Sequence, residues 1–199
     1  MLDDIEERTL AQFFPDLGKR TVKQVEEGIK RSYERAYTTL RHLEERKLLE
    51  SEMVGGTLLF KVKSSKSHEA YQAFFNLMTQ RLESLDARHR IIMKALMKLK
   101  ERARPQLIAV FGSYSKRTER KDSDVDILCV SEDRKAVESS VASLSREFGI
   151  RFSPMVVTIE QAFKMKNENR AFFDDLRDNG VVFYGRDLFF DICYGGDEE

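Results

Sequence analysis

The chain has 199 residues and a mass of 23.2 kDa, enough for one ordinary domain or two small ones. Hydrophobic residues make up 41% and charged residues 34%, with only 10 Gly and 3 Pro, which excludes collagen-like, low-complexity and disordered classes. No apolar run approaches the roughly 18 residues of a membrane span, and the acidic start Met1–Asp4 is unlike a secretory signal. We therefore expect a cytoplasmic protein that does not associate with membranes.

The net charge is zero, but the charges are distributed unevenly along the chain. Residues 1–65 carry 12 basic and 12 acidic side chains, residues 66–104 carry 9 and 4, and residues 105–199 carry 13 and 18. A basic middle segment followed by an acidic C-terminal part predicts two functional units rather than one uniform surface.

Three helices and a β-hairpin are predicted in the first 62 residues. The predicted elements are helices over 3–14, Val22–Ile29 and Ser32–Leu49, and strands over Glu50–Val54 and Thr57–Val62. Thr21 and Ser32 are suitable N-caps for the second and third helices, and Gly55-Gly56 between two strand-like runs is typical of a hairpin turn.

This order of elements resembles the winged helix-turn-helix DNA-binding domains over residues 2–63. The resemblance implies that the third helix lies in the major groove of double-stranded DNA and that the hairpin adds wing contacts. The candidate DNA-binding residues are Arg31, Arg35, Thr38, Thr39 and Arg41 at the third helix, with Lys61 and Lys63 on the wing. Residues 19–63 carry 11 basic and 7 acidic side chains, a moderate electrostatic footprint. A winged helix that binds protein or dimerises is the alternative.

A long helical joint is predicted next, because no Pro or Gly interrupts the sequence from His68 to Arg104. It forms one helix, or two with a bend near Asp86. Apolar residues recur at helical spacing at Tyr71, Phe74, Phe75, Met78, Leu82 and Leu85. Since an apolar face of this size usually finds a partner, we interpret residues 66–87 as a linker helix for dimerisation or interdomain packing and expect a homodimer.

Strands alternate with helices from residue 88 onward, which predicts an α/β domain over residues 88–199. Strands are expected at Leu107–Phe111, Val125–Val130, Ile150–Thr158 and Val181–Tyr184, and helices at Arg134–Phe148 and Glu160–Asn179.

One segment of this domain predicts chemistry. Gly112 and Ser113 follow a buried strand, and a glycine there lets the backbone approach a phosphate closely. Asp124 and Asp126 open the next strand, and because they are two residues apart their carboxylates project from the same face. Paired carboxylates hold Mg²⁺, which in turn bridges triphosphate oxygens. The pattern therefore predicts nucleotidyl transfer.

The residues Gly112, Ser113, Ser123, Asp124, Asp126 and Ile127 match the signature of the DNA polymerase β-like nucleotidyltransferases. The chain resembles their minimal nucleotidyltransferase branch over about residues 88–190. The resemblance implies a nucleotidyltransferase fold with a mixed sheet, in which Asp124 and Asp126 are catalytic and bind Mg²⁺ or Mn²⁺. It implies that Gly112, Ser113, Lys116 and Ser123 bind the NTP. It also suggests a toxin–antitoxin setting, with a protein acceptor or toxin partner.

Two departures from the family pattern bear on activity. Ser115-Lys116-Arg117 stands where the family often has Ala-Arg-Gly. The strand over Ile150–Val157 contains no acid where active members place a third carboxylate; Ser153 lies on that strand, and Glu160 lies just beyond it. Two interpretations follow: an NMP-transferring enzyme, or a weak or inactive transferase fold that acts as a DNA-binding regulator or an antitoxin-like module.

The remaining candidates are assigned structural roles. Cys129 and Cys193 are far apart and are expected to be buried free thiols. His42, His68 and His89 have no nucleophile or metal ligand at usable spacing and are expected on the surface or in structural contacts. The cations of 116–121 either contact phosphate or belong to a solvated turn.

Overall fold

The computed structural model describes residues 2–65 and 67–195. The chain divides into two compact units, Met1–Leu77 and Met78–Glu199. The boundary falls inside a helix, so that the predicted linker over 66–87 is shared between the two units. None of the helices in the described part of the chain combines the length and the apolar character that a membrane span requires.

The described part of the N-terminal unit contains three complete helices, the first part of a fourth and a three-stranded antiparallel sheet. Its elements are α1 (Asp4–Ala11), β1 (Arg20–Thr21), α2 (Val22–Ile29), α3 (Tyr33–Glu45), β2 (Leu49–Val54), β3 (Thr57–Val62) and the start of α4 (His68–Arg88). The strand order is β1-β3-β2. The predicted hairpin is confirmed, since β2 and β3 pair from Val54↔Thr57 outward and Gly55 and Gly56 both have positive φ.

Both expected N-caps are present. The Thr21 hydroxyl accepts a hydrogen bond from the Gln24 N–H at 3.2 Å, and the Ser32 hydroxyl accepts one from the Arg35 N–H at 3.3 Å. α3 ends at Glu45 instead of near Leu49, because Lys47 turns the chain in the left-handed conformation before β2 begins.

α3 packs one face against the rest of the N-terminal unit. Leu40 and Leu43 are fully buried together with Ala36, whereas Tyr33 and Tyr37 are exposed to 54% and 40%. The two tyrosines belong to the solvent-facing side of this helix.

The apolar residues of α4 pack within the chain. Phe74 is fully buried, and its ring meets Phe14 edge-on at 6.3 Å. Leu85 is buried in the core of the C-terminal unit. α4 ends at Arg88 because His89 leaves the helical conformation, with φ −137°, before the next helix begins. The interruption thus lies three residues beyond the expected bend at Asp86. The apolar face proposed for dimerisation is therefore largely used inside each unit.

The C-terminal unit is a mixed sheet with helices. After the end of α4 its elements are α5 (Arg90–Ala103), β4 (Leu107–Phe111), α6 (Gly112–Lys116), β5 (Val125–Val130), α7 (Arg134–Phe148), β6 (Phe152–Val157), α8 (Ile159–Glu168), α9 (Arg170–Asn179), β7 (Val181–Tyr184) and α10 (Arg186–Tyr194). The strand order is β6-β5-β4-β7, in which β5 and β6 are parallel and the other pairs are antiparallel. The predicted mixed sheet is confirmed.

Two helical predictions in this unit are corrected. The single helix expected over 160–179 is divided into α8 and α9 at Asn169, whose side chain caps α9 by accepting the Phe172 N–H at 3.4 Å. α10 was not predicted. Its residues Phe189, Phe190 and Ile192 are buried, and it contacts β4 and β7.

The sheet separates a hydrophobic core from the face that carries the chemistry. Val125, Ile127 and Cys129 of β5 point into a core shared with α5 and α7. Because side chains alternate along a strand, Asp126 projects from the opposite face. On that face the ring of Phe111 meets Phe172 of α9 edge-on at 5.2 Å.

Candidate nucleotide and metal site

The turn between β4 and α6 requires glycine at position 112. Gly112 has φ +68°, a conformation that L side chains rarely adopt. A Cβ at this position would lie 2.3 Å from Oδ2 of Asp126 and 3.2 Å from its Cγ. The glycine therefore lets the turn lie directly against the carboxylate of the next strand, so the structure brings these two sequence-predicted residues together.

Asp124 and Asp126 lie at the start of β5. Asp124 is half-exposed, and its Oδ1 pairs with Nε of Arg151 at 2.8 Å. Asp126 is partly buried and accepts a hydrogen bond from the Ser153 hydroxyl. Burial raises the pKa of Asp126, the Ser153 hydrogen bond lowers it and the nearby Asp124 carboxylate raises it, with a net shift above its ordinary value.

Ser153 is the residue of β6 that pairs with Asp126 of β5 in the parallel register of the two strands. Glu160, the other candidate, lies in the first turn of α8, where its side chain is 77% exposed and its carboxylate pairs with Lys164 at 2.6 Å. Within residues 2–65 and 67–195, no three His, Cys, Asp or Glu side chains form a group that could hold a metal ion.

Asp124 and Asp126 nevertheless suit Mg²⁺ together with a nucleotide. Mg²⁺ is commonly held by one or two carboxylates, with substrate phosphates and water completing its coordination. The absence of a Cβ at Gly112 lets the Asp126 carboxylate lie directly against the backbone of the turn. Mn²⁺ has the same preference for oxygen ligands.

The other predicted nucleotide-binding residues surround this turn. Ser113 lies on α6 and is half-buried. Ser123 stabilises the loop before β5, since its hydroxyl accepts the Arg120 N–H at 2.9 Å. Lys116 pairs with Asp175 of α9 at 2.7 Å, so its charge is partly neutralised before any phosphate arrives.

The segment Ser115-Lys116-Arg117, which differs from the family's usual Ala-Arg-Gly, ends in a residue with the backbone conformation that glycine adopts most easily. Arg117 itself takes the left-handed conformation, with φ +60°, at the end of α6. Its guanidinium donates to the Ser84 hydroxyl, so an arginine held by a side-chain contact replaces the glycine often found in the family.

Arg151 is the functional candidate that the sequence did not identify. It lies directly before β6, and its carbonyl accepts the Val125 N–H at 2.8 Å, which places it beside Asp124. Arg151 could have been identified only from the parallel register of β5 and β6, and that register is known only once the pairing of the two strands is known.

His89, Arg88 and Glu119 form a cluster of polar contacts beside Tyr114 of α6. His89 Nε2 lies 2.7 Å from Glu119 Oε1, and the His89 ring meets Tyr114 edge-on at 5.1 Å. Burial alone would raise the pKa of Glu119, but hydrogen bonds and the charge of Arg88 bring it below its ordinary value. These contacts are consistent with the structural role expected for His89.

The two cysteines are buried free thiols. Burial raises the pKa of the Cys129 and Cys193 thiols to about 12.

The candidate DNA-binding residues occupy different environments in the N-terminal unit. Arg31, Arg35 and Lys63 are exposed. Arg41 pairs with Glu44 at 2.5 Å and Lys61 with Glu50 at 2.8 Å, which reduces the positive potential available to a phosphate.

The two threonines of α3 are satisfied by its own backbone. The Thr38 hydroxyl is exposed and donates to the Glu34 carbonyl at 2.8 Å. Thr39 is only 5% exposed, and its hydroxyl donates to the Arg35 carbonyl at 2.8 Å. The prediction that Thr39 contacts DNA is therefore wrong, because this residue lies on the buried face of α3.

Comparison with known proteins adds a family to this geometry. No curated protein matches the chain. A solved structure described as "Crystal structure of the toxin-antitoxin with AMP-PNP" is similar at 20% identity, with a TM-score of 0.38, over 51% of this chain and 80% of its own. Residues 92–177 match the family model of the nucleotidyltransferase domain, and this range contains Gly112, the two aspartates and Ser153. The segment from α5 to α9 is therefore similar to a nucleotidyltransferase domain.

Proposed function

We propose that the C-terminal unit binds a nucleoside triphosphate with Mg²⁺ or Mn²⁺ and transfers its NMP to a hydroxyl acceptor. The observation that carries the proposal is the close approach of the Gly112 turn to Asp126, since a Cβ at position 112 would lie 2.3 Å from Oδ2 and force the carboxylate to move. Gly112 and Asp126 both lie within the segment that matches the family model of the nucleotidyltransferase domain. Asp124 and Asp126 hold the metal, and the Gly112-Ser113 turn, with Lys116 and Ser123 nearby, receives the phosphates.

In the reaction, the acceptor oxygen forms a bond to the α-phosphorus while the bond from that phosphorus to the bridging α–β oxygen breaks. Pyrophosphate leaves, and the hydroxyl proton passes to water. A bound Mg²⁺ supplies charge neutralisation and orientation of the triphosphate oxygens. Asp126 accepts a hydrogen bond from Ser153 where a third carboxylate would have been a further ligand, so this chain is expected to transfer slowly.

The test is incubation of the protein with each α-labelled NTP and Mg²⁺ or Mn²⁺, with and without cell extract. The proposal expects one nucleotide to label an acceptor, and the label to disappear in Asp124→Asn/Asp126→Asn. The acceptor is expected to be a protein, which denaturing gel electrophoresis of the labelled product checks. Label that persists in the double variant contradicts the site assignment.

The second candidate function is a nucleotide-binding regulator without turnover. It is favoured by Ser153, which stands opposite Asp126 and provides no charge to the metal site. Under this hypothesis the wild type binds an NTP with Mg²⁺ and labels nothing.

In either case we propose that the N-terminal unit binds double-stranded DNA through α3 and the β2–β3 hairpin. Arg31 and Arg35 support this, because they are exposed and no acidic side chain in the described part of the chain forms an ion pair with them. Tyr33 and Tyr37 flank them on the exposed side of the same helix. A winged helix used for protein contact is the competing hypothesis, and a gel shift at low salt distinguishes the two.

A further inference from the structure

We propose that Arg151 is a built-in counter-ion that makes divalent-metal binding depend on the nucleotide. This inference rests on the proposed function and concerns a residue that the family signature does not include. In the free protein the Arg151 guanidinium forms an ion pair with the Asp124 carboxylate. This ion pair breaks when a triphosphate offers the guanidinium another anionic partner.

The geometry holds Arg151 at this position from two sides. Its Nε lies 2.8 Å from Asp124 Oδ1, and its Nη2 donates to the carbonyl of Asp122. The backbone adds a third restraint, because the Arg151 carbonyl accepts the Val125 N–H at 2.8 Å. The parallel register of β5 and β6 therefore fixes the base of this side chain next to the metal-binding aspartate.

The charges explain why the arrangement matters. A site with three carboxylates attracts a divalent cation strongly, and affinity falls as the number of charged ligands falls. Here Ser153 stands where the third acid is expected, and Arg151 adds a positive charge beside Asp124. The two aspartates and Arg151 together leave one net negative charge, which gives a divalent cation alone little attraction.

A triphosphate changes this balance. It brings several negative oxygens to the same carboxylates, and arginine forms strong paired hydrogen bonds with phosphate. Arg151 is 68% exposed and Asp124 50% exposed, so their ion pair is weak and exchanges readily. Asp124 is then free for the metal, and the guanidinium stabilises the phosphates. By linkage, metal and nucleotide each strengthen the binding of the other.

The experiment compares the wild type with Arg151→Gln, which keeps a polar side chain without the charge. Arg146→Gln is the matched control, because Arg146 is an exposed arginine of α7, which packs on the core face of the sheet, opposite the face that carries Asp126. Binding of Mn²⁺ alone is measured by electron paramagnetic resonance of free Mn²⁺. Binding of the Mn²⁺ complexes of ATP, GTP, CTP and UTP is measured by calorimetry.

The inference expects two opposite changes in Arg151→Gln. Mn²⁺ alone should bind about two- to fivefold more tightly, the range set by an exposed ion pair. The preferred Mn²⁺–NTP complex should bind at least about fivefold more weakly, because a charge-assisted phosphate contact is lost. Arg146→Gln should match the wild type in both measurements.

The outcomes separate this inference from the proposed function. Unchanged or weaker binding of Mn²⁺ alone by Arg151→Gln, or unchanged binding of the Mn²⁺–NTP complex, overturns the role of Arg151 while nucleotide binding by the wild type stands. Failure of the wild type to bind any of the four complexes overturns the proposed function, and the inference with it. Circular dichroism establishes that the variants are folded.

Discussion

Replacing Gly112 with Ala tests the close approach of the turn to the metal-binding carboxylate. The new Cβ would lie 2.3 Å from Oδ2 and 3.4 Å from Cβ of Asp126, so the aspartate must rotate away. Gly149 provides a matched control in the same unit, because its φ of +66° nearly equals the +68° of Gly112 and a Cβ there meets no atom within 4 Å. The two variants share the backbone strain and differ in the contact.

The expected losses in the free energy of unfolding follow from the backbone strain and from the contact with Asp126. A non-glycine residue in the left-handed conformation costs roughly 1–2 kcal/mol, partly offset by about 0.4–1 kcal/mol from the reduced freedom of the unfolded chain. Gly149→Ala should therefore lower the free energy of unfolding by about 1 kcal/mol. Gly112→Ala adds about 0.5–1.5 kcal/mol for moving Asp126 out of its rotamer, giving about 2 kcal/mol. In a protein of this size these losses correspond to about 2–4 °C and about 4–8 °C in Tm.

The deciding readout is binding, not stability. Calorimetry with the preferred NTP and Mg²⁺ should show Gly149→Ala within about twofold of the wild type. Gly112→Ala should lose about tenfold or more, the scale seen when a metal ligand is misoriented. Wild-type affinity in Gly112→Ala, or an equal loss in both variants, would refute the link between this turn and the carboxylate.

Three further predictions concern the missing acid and the N-terminal unit. Ser153→Asp should raise Mg²⁺ affinity and the rate of NMP transfer, because it adds a carboxylate opposite Asp126; a labelling time course checks this, and no gain would show that a third acid is not what limits the site. Glu160→Gln should leave that rate unchanged, since its carboxylate pairs with Lys164 on its own helix, and loss of transfer would identify Glu160 as the missing ligand. Arg35→Ala should weaken the binding of double-stranded DNA and reduce its salt dependence by about one phosphate contact; absence of DNA binding by the wild type at low salt would assign the unit to protein contact.

Local patterns in the sequence predicted most of the elements correctly. α7 begins and ends at the expected residues, Arg134 and Phe148, because Asp133 caps its first turn and Gly149 takes the left-handed conformation at its end. The Asp-x-Asp spacing and the glycine before it placed the candidate site, since alternation along a strand and positive φ are local properties.

The parts that could not be predicted depend on pairing between distant segments. From one sequence, the register of Ser153 against the other strands is uncertain by about two residues, and the β5–β6 pairing places Ser153 opposite Asp126. The ion pair of Arg151 with Asp124 comes from the same register. The buried position of Thr39 depends on which face of α3 packs inward, and the exposed Tyr33 and Tyr37 show that the apolar residues of this helix do not all lie on that face.

The most direct test of the central claim is calorimetric titration of the wild type and Asp124→Asn/Asp126→Asn with each NTP, in Mg²⁺ and in EDTA. We expect that the wild type binds one NTP in Mg²⁺, that EDTA weakens this binding strongly, and that the folded double variant shows no Mg²⁺-dependent binding. Equal NTP affinity in the wild type and the double variant would contradict it, because nucleotide binding would then owe nothing to the two aspartates at the start of β5.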